Sequence, residues 1–390
     1  MAKLEDTFVL IRNGANIKQG EDGTGYPITR IETISDRVVN RLKMGYAGIT
    51  DIEKYKDYVL QDGDILMSHI NSEIHLGKSA LYRKKSDEII IHGMNLLCLR
   101  PNYEILDSSY VFYYFSSNAF LNQIPSITKK SVNQASFCVS ALKKLSIPIP
   151  SFETQRQIAE TLDKVTHLID LYNRILDRFD LLVRARFVEM FGDLEAGTCI
   201  YQTRKLKELS TKISDGIHVK PDYTETGKPF LSVVNINKKK IDFTDCKYVS
   251  EEAYQKMIKS THPEKGDVLY TKVGATYGIP AYVDTDDEFC LYVSVCLIKP
   301  KHDLINSKFL AMQMDMPFVK HQADRRIKGI GVPDLHLNQI SEFDIICPPR
   351  HMQDNFITFT NLTDKSKSAV KQVLKNAETL KKALMQEYFG

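Results

Sequence analysis

Four loops carry clusters of basic and amide side chains, the residue types that contact nucleic acids. Arginine and lysine bind phosphates and guanine edges, whereas asparagine and glutamine pair with adenine. A single run of this kind is usually ordinary solvated surface. Two of the runs occupy corresponding places, just before the last predicted strand of each half. This recurrence raises a binding role to equal weight with an ordinary surface. The candidates are Lys84, Lys85, Lys129, Lys130, Asn133, Gln134, Lys238, Lys239, Arg325, Arg326 and Lys328.

Two further candidate loops follow Gly-Asp pairs, at Gly63-Asp64 and Gly266-Asp267. Each pair precedes an apolar run, so each predicts a turn followed by a strand. Polar residues then lie between that strand and the next one, where they could face a ligand or form a plain hairpin loop. These candidates are His69, Asn71 and Ser72 in the first half, and Lys272, Thr276 and Tyr277 in the second.

The motifs of common catalytic centres are absent or incomplete. Gly77-Lys78-Ser79 matches the end of a phosphate-binding loop, but Ser72 stands where that loop needs its first glycine. No GxGxxG opens a predicted helix, no HExxH or GxSxG occurs, and the ten histidines show no metal-ligand spacing. We therefore expect no catalytic residue, no metal site and no cofactor on this chain.

Length and charge limit the class of protein. With 390 residues, the chain has room for two ordinary domains of a soluble globular protein. Its net charge of +3, from 52 basic and 49 acidic side chains, is small for a protein that holds DNA alone. Phosphate neutralisation supplies most non-specific affinity, so local patches or a partner must supply any DNA binding.

Cysteine usage and hydropathy predict the compartment. The seven cysteines are scattered singly, with no CxxC pair. No apolar run approaches the roughly 18 residues of a membrane span, and the N-terminus lacks a signal peptide. Reduced thiols, a cytoplasmic location and no membrane contact are therefore expected.

Two long segments are predicted to be the helices that position these loops. Between Phe152 and Gly192 the apolar residues alternate at steps of four and three, the spacing of a coiled-coil seam, which predicts one helix of roughly 35 residues. The segment that ends at Gly390 repeats this alternation. The predicted seams are Ile158, Leu162, Val165, Ile169, Tyr172, Leu176, Phe179, Val183 and Phe187, and Phe356, Phe359, Thr363, Ser366, Val370, Val373, Ala377, Leu380 and Leu384.

The chain is an internal repeat. Pro150, Gln155 and Gly192 reappear at constant spacing as Pro348, Gln353 and Gly390, and the strand motifs recur in the same order. The predicted fold class is α+β, with mostly antiparallel sheets. Two fused similar halves tend to pack about a pseudo-twofold axis, so the two helices should form an antiparallel coiled coil. The predicted order is domain 1–150, helix 151–195, domain 196–349 and helix 350–390.

The motif order identifies a family. The motifs are Lys205-Leu206, Ser214-Asp215-Gly216-Ile217-His218 with Pro221-Asp222-Tyr223-Thr224, Pro229-Phe230-Leu231, Gly266-Asp267-Val268-Leu269, and Ile147-Pro148-Ile149-Pro150 with Gln155. Together they resemble the DNA-specificity subunit of Type I restriction–modification systems. The resemblance covers essentially the whole chain. The first half departs from it where Ile70-Asn71-Ser72 replaces Val273-Gly274-Ala275.

The resemblance implies two target-recognition domains, each reading one half of a bipartite, asymmetric site in double-stranded DNA. It adds His218 and Lys220 to the candidate DNA contacts. The helices would act as spacers that dock two methyltransferase (modification) subunits, and restriction/translocase subunits would join. S-adenosylmethionine, ATP and Mg²⁺ are then expected on those partners, not on this non-catalytic chain. The docking candidates are Ile158, Leu162, Val165, Ile169, Val370, Val373 and Leu380.

Two other classes stay open at this point. The first is a coiled-coil scaffold with two protein-binding modules and no role on DNA. The second is an enzyme whose site lies between the domains. Protection of a discrete split DNA site, in the presence of the methyltransferase partner, would separate a DNA reader from a scaffold.

Overall fold

A computed structural model describes residues 1–17, 23–131, 134–237, 239–327 and 331–390. The chain forms two compact units. Unit 1 comprises Met1–Arg174 and Lys371–Gly390, and unit 2 comprises Ile175–Val370. Each long helix therefore contributes one part to each unit. The division at 1–150, 151–195, 196–349 and 350–390 stays a prediction about where the recognition modules begin and end.

The first half of the chain alternates short strands with short helices before one long helix. Its strands are β1 (Ala2–Lys3), β2 (Phe8–Asn13), β3 (Pro27–Ile28), β4 (Gly45–Tyr46), β5 (Ile65–Ser68), β6 (Ile70–Asn71), β7 (Ser79–Leu81), β8 (Leu96–Pro101), β9 (Lys129–Lys130), β10 (Ala135–Ser136) and β11 (Ser146–Ile147). Its α-helices are α1 (Ser108–Ser116), α2 (Asn118–Leu121), α3 (Ile124–Ile127), α4 (Val139–Leu142) and α5 (Phe152–Phe191).

The second half follows the same plan. Its strands are β12 (Thr203–Lys205), β13 (Ser210–Asp215), β14 (Lys228–Leu231), β15 (Ile236–Asn237), β16 (Lys240–Ile241), β17 (Lys247–Val249), β18 (Val268–Thr271), β19 (Pro280–Tyr282), β20 (Cys290–Leu291), β21 (Val295–Pro300) and β22 (Asp344–Ile346). Its α-helices are α6 (Glu251–Met257), α7 (Ser307–Met314), α8 (Pro317–Arg326), α9 (Leu337–Ser341) and α10 (Arg350–Phe389). Short 3₁₀ helices span Leu4–Asp6, Ile31–Ile34, Arg41–Lys43, Glu53–Tyr58, Glu73–His75, Leu206–Leu209 and Val233–Asn235.

Each unit contains a four-stranded antiparallel sheet of the same topology. The strand order is β2-β8-β5-β7 in unit 1 and β13-β21-β18-β19 in unit 2. The strands predicted after the Gly-Asp turns are the inner strands β5 and β18, which are buried along their whole length. A strand that is covered on both faces has no polar face, so its sequence is a continuous run of apolar residues. This matching topology confirms the internal repeat and the α+β class.

The Gly-Asp pairs have a structural explanation. Gly63 adopts a left-handed backbone (φ +87°), and a Cβ there would meet Ser108 Oγ at 2.7 Å. The carboxylate of Asp64 is fully buried, accepts a bond from the Gln61 amide at 2.8 Å, and binds the Arg100 guanidinium at 2.7 and 2.8 Å. The pair therefore closes the turn and ties it to β8.

The repeated glutamine is also explained. Gln155 is fully buried; its Oε1 accepts from the Asp107 amide at 3.0 Å, and its Nε2 donates to the carbonyls of Ile105 and Pro150. Gln353 makes the equivalent three bonds in unit 2. This side chain fixes the start of the long helix to the loop before α1 in unit 1 and to the loop before α7 in unit 2.

The two long helices run antiparallel within unit 2. Lys367 on α10 donates to Asp180 on α5 at 2.6 Å, and the ring of Phe187, further along α5, lies 5.5 Å from Phe356, earlier on α10. Rising numbers on one helix therefore meet falling numbers on the other.

Unit 1 shows the same antiparallel pairing. Leu162, near the start of α5, shares a hydrophobic core with Phe389, the last residue of α10. Tyr113 joins the two helices, because its hydroxyl donates to Asp163 on α5 at 2.6 Å and its ring lies 5.8 Å from Lys381 Nζ on α10.

The predicted seam of α5 is confirmed, because each of its nine residues is buried or half-buried. The predicted seam of α10 is wrong at Val373 and Leu380, which are 43% and 50% exposed, and at Ser366. Lys367 and Lys381 occupy the neighbouring inward positions, and burial lowers the pKa of Lys381. These lysines stand beside Ser366 and Leu380, and the half-buried Leu374 stands beside Val373, so the inward row of α10 lies one residue further along the chain than predicted. No helix in the described ranges is both long and apolar enough to span a bilayer.

Candidate nucleic-acid interface

In unit 1 a small sheet brings two of the predicted loops together. Its strand order is β6-β10-β9. Ala135 pairs with Asn71 on one side and Lys130 on the other, and Ser136 pairs with Lys129. The loop after the Gly-Asp strand and the basic loop before the last strand are therefore one surface. Its exposed candidates are Ser72, Lys129, Lys130 and Gln134; Asn133 lies outside the described residues.

The charges on this surface are only partly neutralised. Lys130 Nζ lies 2.9 Å from Glu73, whereas Lys129 makes no ion pair with any described residue. Asn71 Oδ1 accepts from the Ser72 amide at 2.8 Å, which fixes the side chain on the loop. Lys129 is therefore free to contact a phosphate.

His69 lies beneath this surface and does not project from it. The side chain is buried, its Nδ1 has no hydrogen-bond partner among the described residues, and its ring meets the edge of Phe137 at 6.3 Å. Burial lowers the pKa of His69, so the ring is neutral. His69 therefore packs beneath the loop, and its role as a DNA contact stays a prediction.

Unit 2 builds the same junction. Val273 forms an antiparallel bridge with Asp334, the Gly274 amide donates to the Pro333 carbonyl at 2.9 Å, and the Leu335 amide donates to the Lys272 carbonyl at 2.9 Å. The loop after β18 is thereby joined to the segment before the last strand.

The rest of that loop contacts α8. The Tyr277 hydroxyl donates to Asp324 at 2.5 Å, and Lys320 Nζ lies 3.7 Å from the centre of the Tyr277 ring. Thr276, next to Tyr277, is exposed. Tyr277 is thus held in place by α8, and Thr276 is the accessible hydroxyl of the loop.

The two arginines of α8 differ. The Arg325 side chain is 75% exposed and lies 3.5 Å from Glu195. Arg326 donates to the carbonyls of Gln322 and Glu342 at 2.8 and 3.2 Å, so it packs against its own unit. Arg325 is therefore available to a phosphate and Arg326 is structural; Lys328 lies outside the described residues.

Lys272 is buried between two aspartates that the sequence analysis did not select. Its Nζ lies 3.4 Å from Asp215 Oδ2 and 3.5 Å from Asp334 Oδ1, and its side chain is 6% exposed. His218 Nε2 lies 3.2 Å from Asp215 Oδ1, so this ion-pair network also includes the predicted His218. Only Asp215 had a signal in the sequence, as part of the Ser-Asp-Gly-Ile-His motif.

The remaining candidate residues lie outside the two loop junctions described above. Lys220 is exposed, with its Nζ 5.6 Å from the Tyr223 ring. Lys239 has a left-handed backbone and pairs with Asp315 at 2.5 Å, while Lys238 lies outside the described residues. Lys84 and Lys85 are exposed on a loop that no hydrogen bond or ion pair between described residues joins to the β6-β10-β9 sheet.

Residues 1–179 and 200–376 match the family described as the Type I restriction modification DNA specificity domain. The chain belongs to this family. The resemblance seen in the motifs is thereby confirmed. Among the described residues, no group of three or more His, Cys, Asp or Glu side chains could hold a metal ion.

Individual specificity subunits are similar to parts of this chain. The putative type I restriction enzyme MjaX specificity subunit of Methanocaldococcus jannaschii is 42% identical over 48% of this chain and 44% of its own length. The type I restriction enzyme EcoKI specificity subunit of Escherichia coli is 24% identical over 49% of this chain and 42% of its own length. These alignments span less than half of either relative.

Two solved structures share the fold over the whole chain. The S subunit of a Type-I restriction-modification system from M. genitalium aligns with a TM-score of 0.54 at 16% identity, covering 100% of this chain and 95% of that one. A chain from a structure on complex assembly and conformational transition of the type I R-M system aligns with a TM-score of 0.60 at 15% identity, covering 100% and 96%.

The loop that carries Lys84 and Lys85 should show a pH-dependent stability. A hydrogen bond from Arg41 lowers the pKa of Glu88 from 4.5 to about 2, and Glu88 also accepts from the Lys85 amide at 2.8 Å. Because the folded pKa is depressed, this stabilisation is complete above about pH 4.5 and is lost as the pH falls towards 2. Glu88→Gln should cost about 1–2 kcal/mol at pH 7, since the site is partly screened by solvent, and only a small fraction of that at pH 2.

Urea unfolding between pH 2 and 7 measures this difference. Glu104→Gln, an exposed carboxylate of the same unit with no ion pair among the described residues, is the control. An equal loss for Glu88→Gln at both ends of the pH range would contradict the assignment.

Proposed function

We propose that this chain is the non-catalytic, sequence-reading specificity subunit of a Type I restriction–modification complex. Each unit would contact one half of a bipartite, asymmetric site in double-stranded DNA. One observation carries the proposal. In both units, backbone pairing joins the loop after the inner strand to the segment before the last strand, and polar or basic side chains are exposed around that junction.

The exposed residues divide into two kinds of contact. Lys129 in unit 1 and Arg325 in unit 2 are exposed cations that suit phosphates, and phosphate contacts fix register and carry no sequence information. Ser72, Gln134 and Thr276 carry the neutral donors and acceptors that suit base edges. Each unit thus has the components for both positioning and readout.

We further propose that the long helices dock two methyltransferase subunits. Leu162 and Val165 are buried within the chain, so they serve the seam and not a partner. The apolar residues available to a partner lie elsewhere on α5 and α10, where the two helices expose several large apolar side chains. These residues are Leu168, Leu171, Leu181, Leu182, Val188, Leu362, Val373 and Leu380.

The reactive chemistry would then belong to the partners. Methyltransferase subunits would bring S-adenosylmethionine, and restriction/translocase subunits would bring ATP and Mg²⁺. This chain contributes only the choice of site, and it would act in the cytoplasm, where the partners and their DNA are found.

Nuclease protection by the complex of this chain with its methyltransferase partner tests the proposal. A discrete split site should be protected. Lys129→Ala should weaken binding to every DNA sequence about equally and reduce the slope of log affinity against log salt by about 1, because one phosphate contact is lost. Lys265→Ala, an exposed lysine that pairs with Asp286, is the control and should leave both quantities unchanged.

The outcomes separate the classes of function. A complex that assembles but protects no discrete site would support the scaffold and refute the DNA reader. Loss of discrimination at one base pair in Lys129→Ala would instead reassign that residue from a phosphate to a base.

A further inference from the structure

Three positions around the junction are structurally equivalent in the two units. Ser68 pairs with Leu96 as Thr271 pairs with Val295, so the next residues, His69 and Lys272, correspond. Asn13 pairs with Leu97 as Asp215 pairs with Cys296, so Asn13 and Asp215 correspond. Ser136 pairs with Ile70 as Asp334 bridges Val273, so Ser136 and Asp334 correspond. We call these three equivalent positions the junction triad: Asn13, His69 and Ser136 in unit 1, and Asp215, Lys272 and Asp334 in unit 2.

The backbone of the two triads is the same although the side chains differ. The Phe137 amide donates to the His69 carbonyl at 3.1 Å, and the Leu335 amide donates to the Lys272 carbonyl at 2.9 Å. A shared backbone with exchanged side chains is the arrangement expected where one scaffold presents different recognition groups.

The unit 2 triad is an asymmetric ion-pair network. Asp215 is 14% exposed and is fully engaged, because one oxygen faces Lys272 and the other faces His218. Asp334 is 46% exposed; its Oδ1 faces Lys272 at 3.5 Å, and its Oδ2 has no partner among the described residues. Asp334 is therefore the one carboxylate of the triad with an oxygen open to a ligand.

The unit 1 triad carries no charge. Asn13 and Ser136 are neutral, and the buried His69 ring has an unbonded Nδ1. The two units therefore differ in charge at the same place in the same fold, and they would select different bases there.

We propose that Asp334 is a specificity-determining residue that accepts a hydrogen bond from the exocyclic amino group of a base in the major groove. The inference rests on the proposed function. Cytosine N4 and adenine N6 are the amino donors in that groove, whereas guanine and thymine present acceptors there. Lys272 is the positioning residue: it holds Asp334 in place and offsets its charge, which phosphates would otherwise repel.

Backbone bonds on both sides make Asp334 rigid. The Pro333 carbonyl and the Leu335 amide are each bonded to the 272–274 segment at 2.9 Å. Base discrimination needs such a fixed acceptor, because a mobile one could follow the wrong base.

The test measures the affinity of the complex with its methyltransferase partner for oligonucleotides that carry each base at each position of the protected site. Asp334→Asn should lower the affinity for the original site roughly 10- to 100-fold by weakening selection at one cytosine or adenine. Affinity for unrelated DNA should stay the same or rise, because a negative charge is removed. Lys272→Met should relax the same position. Asp286→Asn, which removes an exposed carboxylate elsewhere in unit 2, should change no base preference.

The controls make each result decisive. An unaltered preference at every position in a folded Asp334→Asn complex overturns the inference. If Asp334→Asn loses all binding and its unfolding midpoint falls, the Asp334→Ser variant decides the question. It places the unit 1 residue on the same backbone, and it must relax base preference at one position only; a folded Asp334→Ser complex with an unaltered preference overturns the inference. If the wild-type complex protects no site, the proposed function itself fails, which is a different result.

Discussion

Phe187→Ala is expected to lower the free energy of unfolding by about 3–5 kcal/mol. Phe187 is buried on α5, with its ring 5.0 Å from Phe191, 6.0 Å from Phe309 and 5.5 Å from Phe356. It joins both long helices to α7. Truncation leaves a cavity lined by rigid rings, which cannot close around a methyl group.

Urea unfolding followed by circular dichroism measures this effect. Val188→Ala is the matched control, because Val188 is the next residue of α5 and is exposed. It should cost less than about 0.5 kcal/mol. Equal losses for the two variants would show that Phe187 does not lie in the seam.

Arg100→Met is expected to destabilise unit 1 by about 3–5 kcal/mol, because it leaves the carboxylate of Asp64 buried without its counter-ion. The guanidinium binds both oxygens of that carboxylate, and this hydrogen bonding raises the pKa of Arg100. The loss should exceed that of an ordinary surface ion pair by several-fold.

A double-mutant cycle isolates the interaction. Asp64→Asn together with Arg100→Met should recover part of the loss, because the neutral amide removes the unpaired charge. Arg174→Met, which breaks the exposed pair of Arg174 with Asp170, is the control and should cost at most about 0.5 kcal/mol. Strictly additive effects of Asp64→Asn and Arg100→Met would argue against the ion pair as the stabilising contact.

Part of the candidate binding site could be predicted from the sequence. The polar loops after the Gly-Asp strands and the basic runs before the last strands could be identified, because turn residues and proline-stopped strands leave local signals. Whether those stretches contact each other could not be predicted, because the pairing of Ala135 with both Asn71 and Lys130 brings together residues that are far apart in the chain. Asp334 was missed because a lone aspartate between apolar residues has no local signal of its own.

The sequence by itself determined the internal repeat, the α+β class, the two long helices, the seam of α5 and the family. Each depends on periodicity or on motif order, which local propensity and chain order fix directly. The tertiary structure alone decided which polar side chains are buried. Lys381 and Lys367 lie inward on α10 while Val373 and Leu380 face solvent, and Lys272 lies between two carboxylates beneath the loop it belongs to. A buried lysine is stable only when a partner offsets the loss of hydration, and such partners come from other strands and helices.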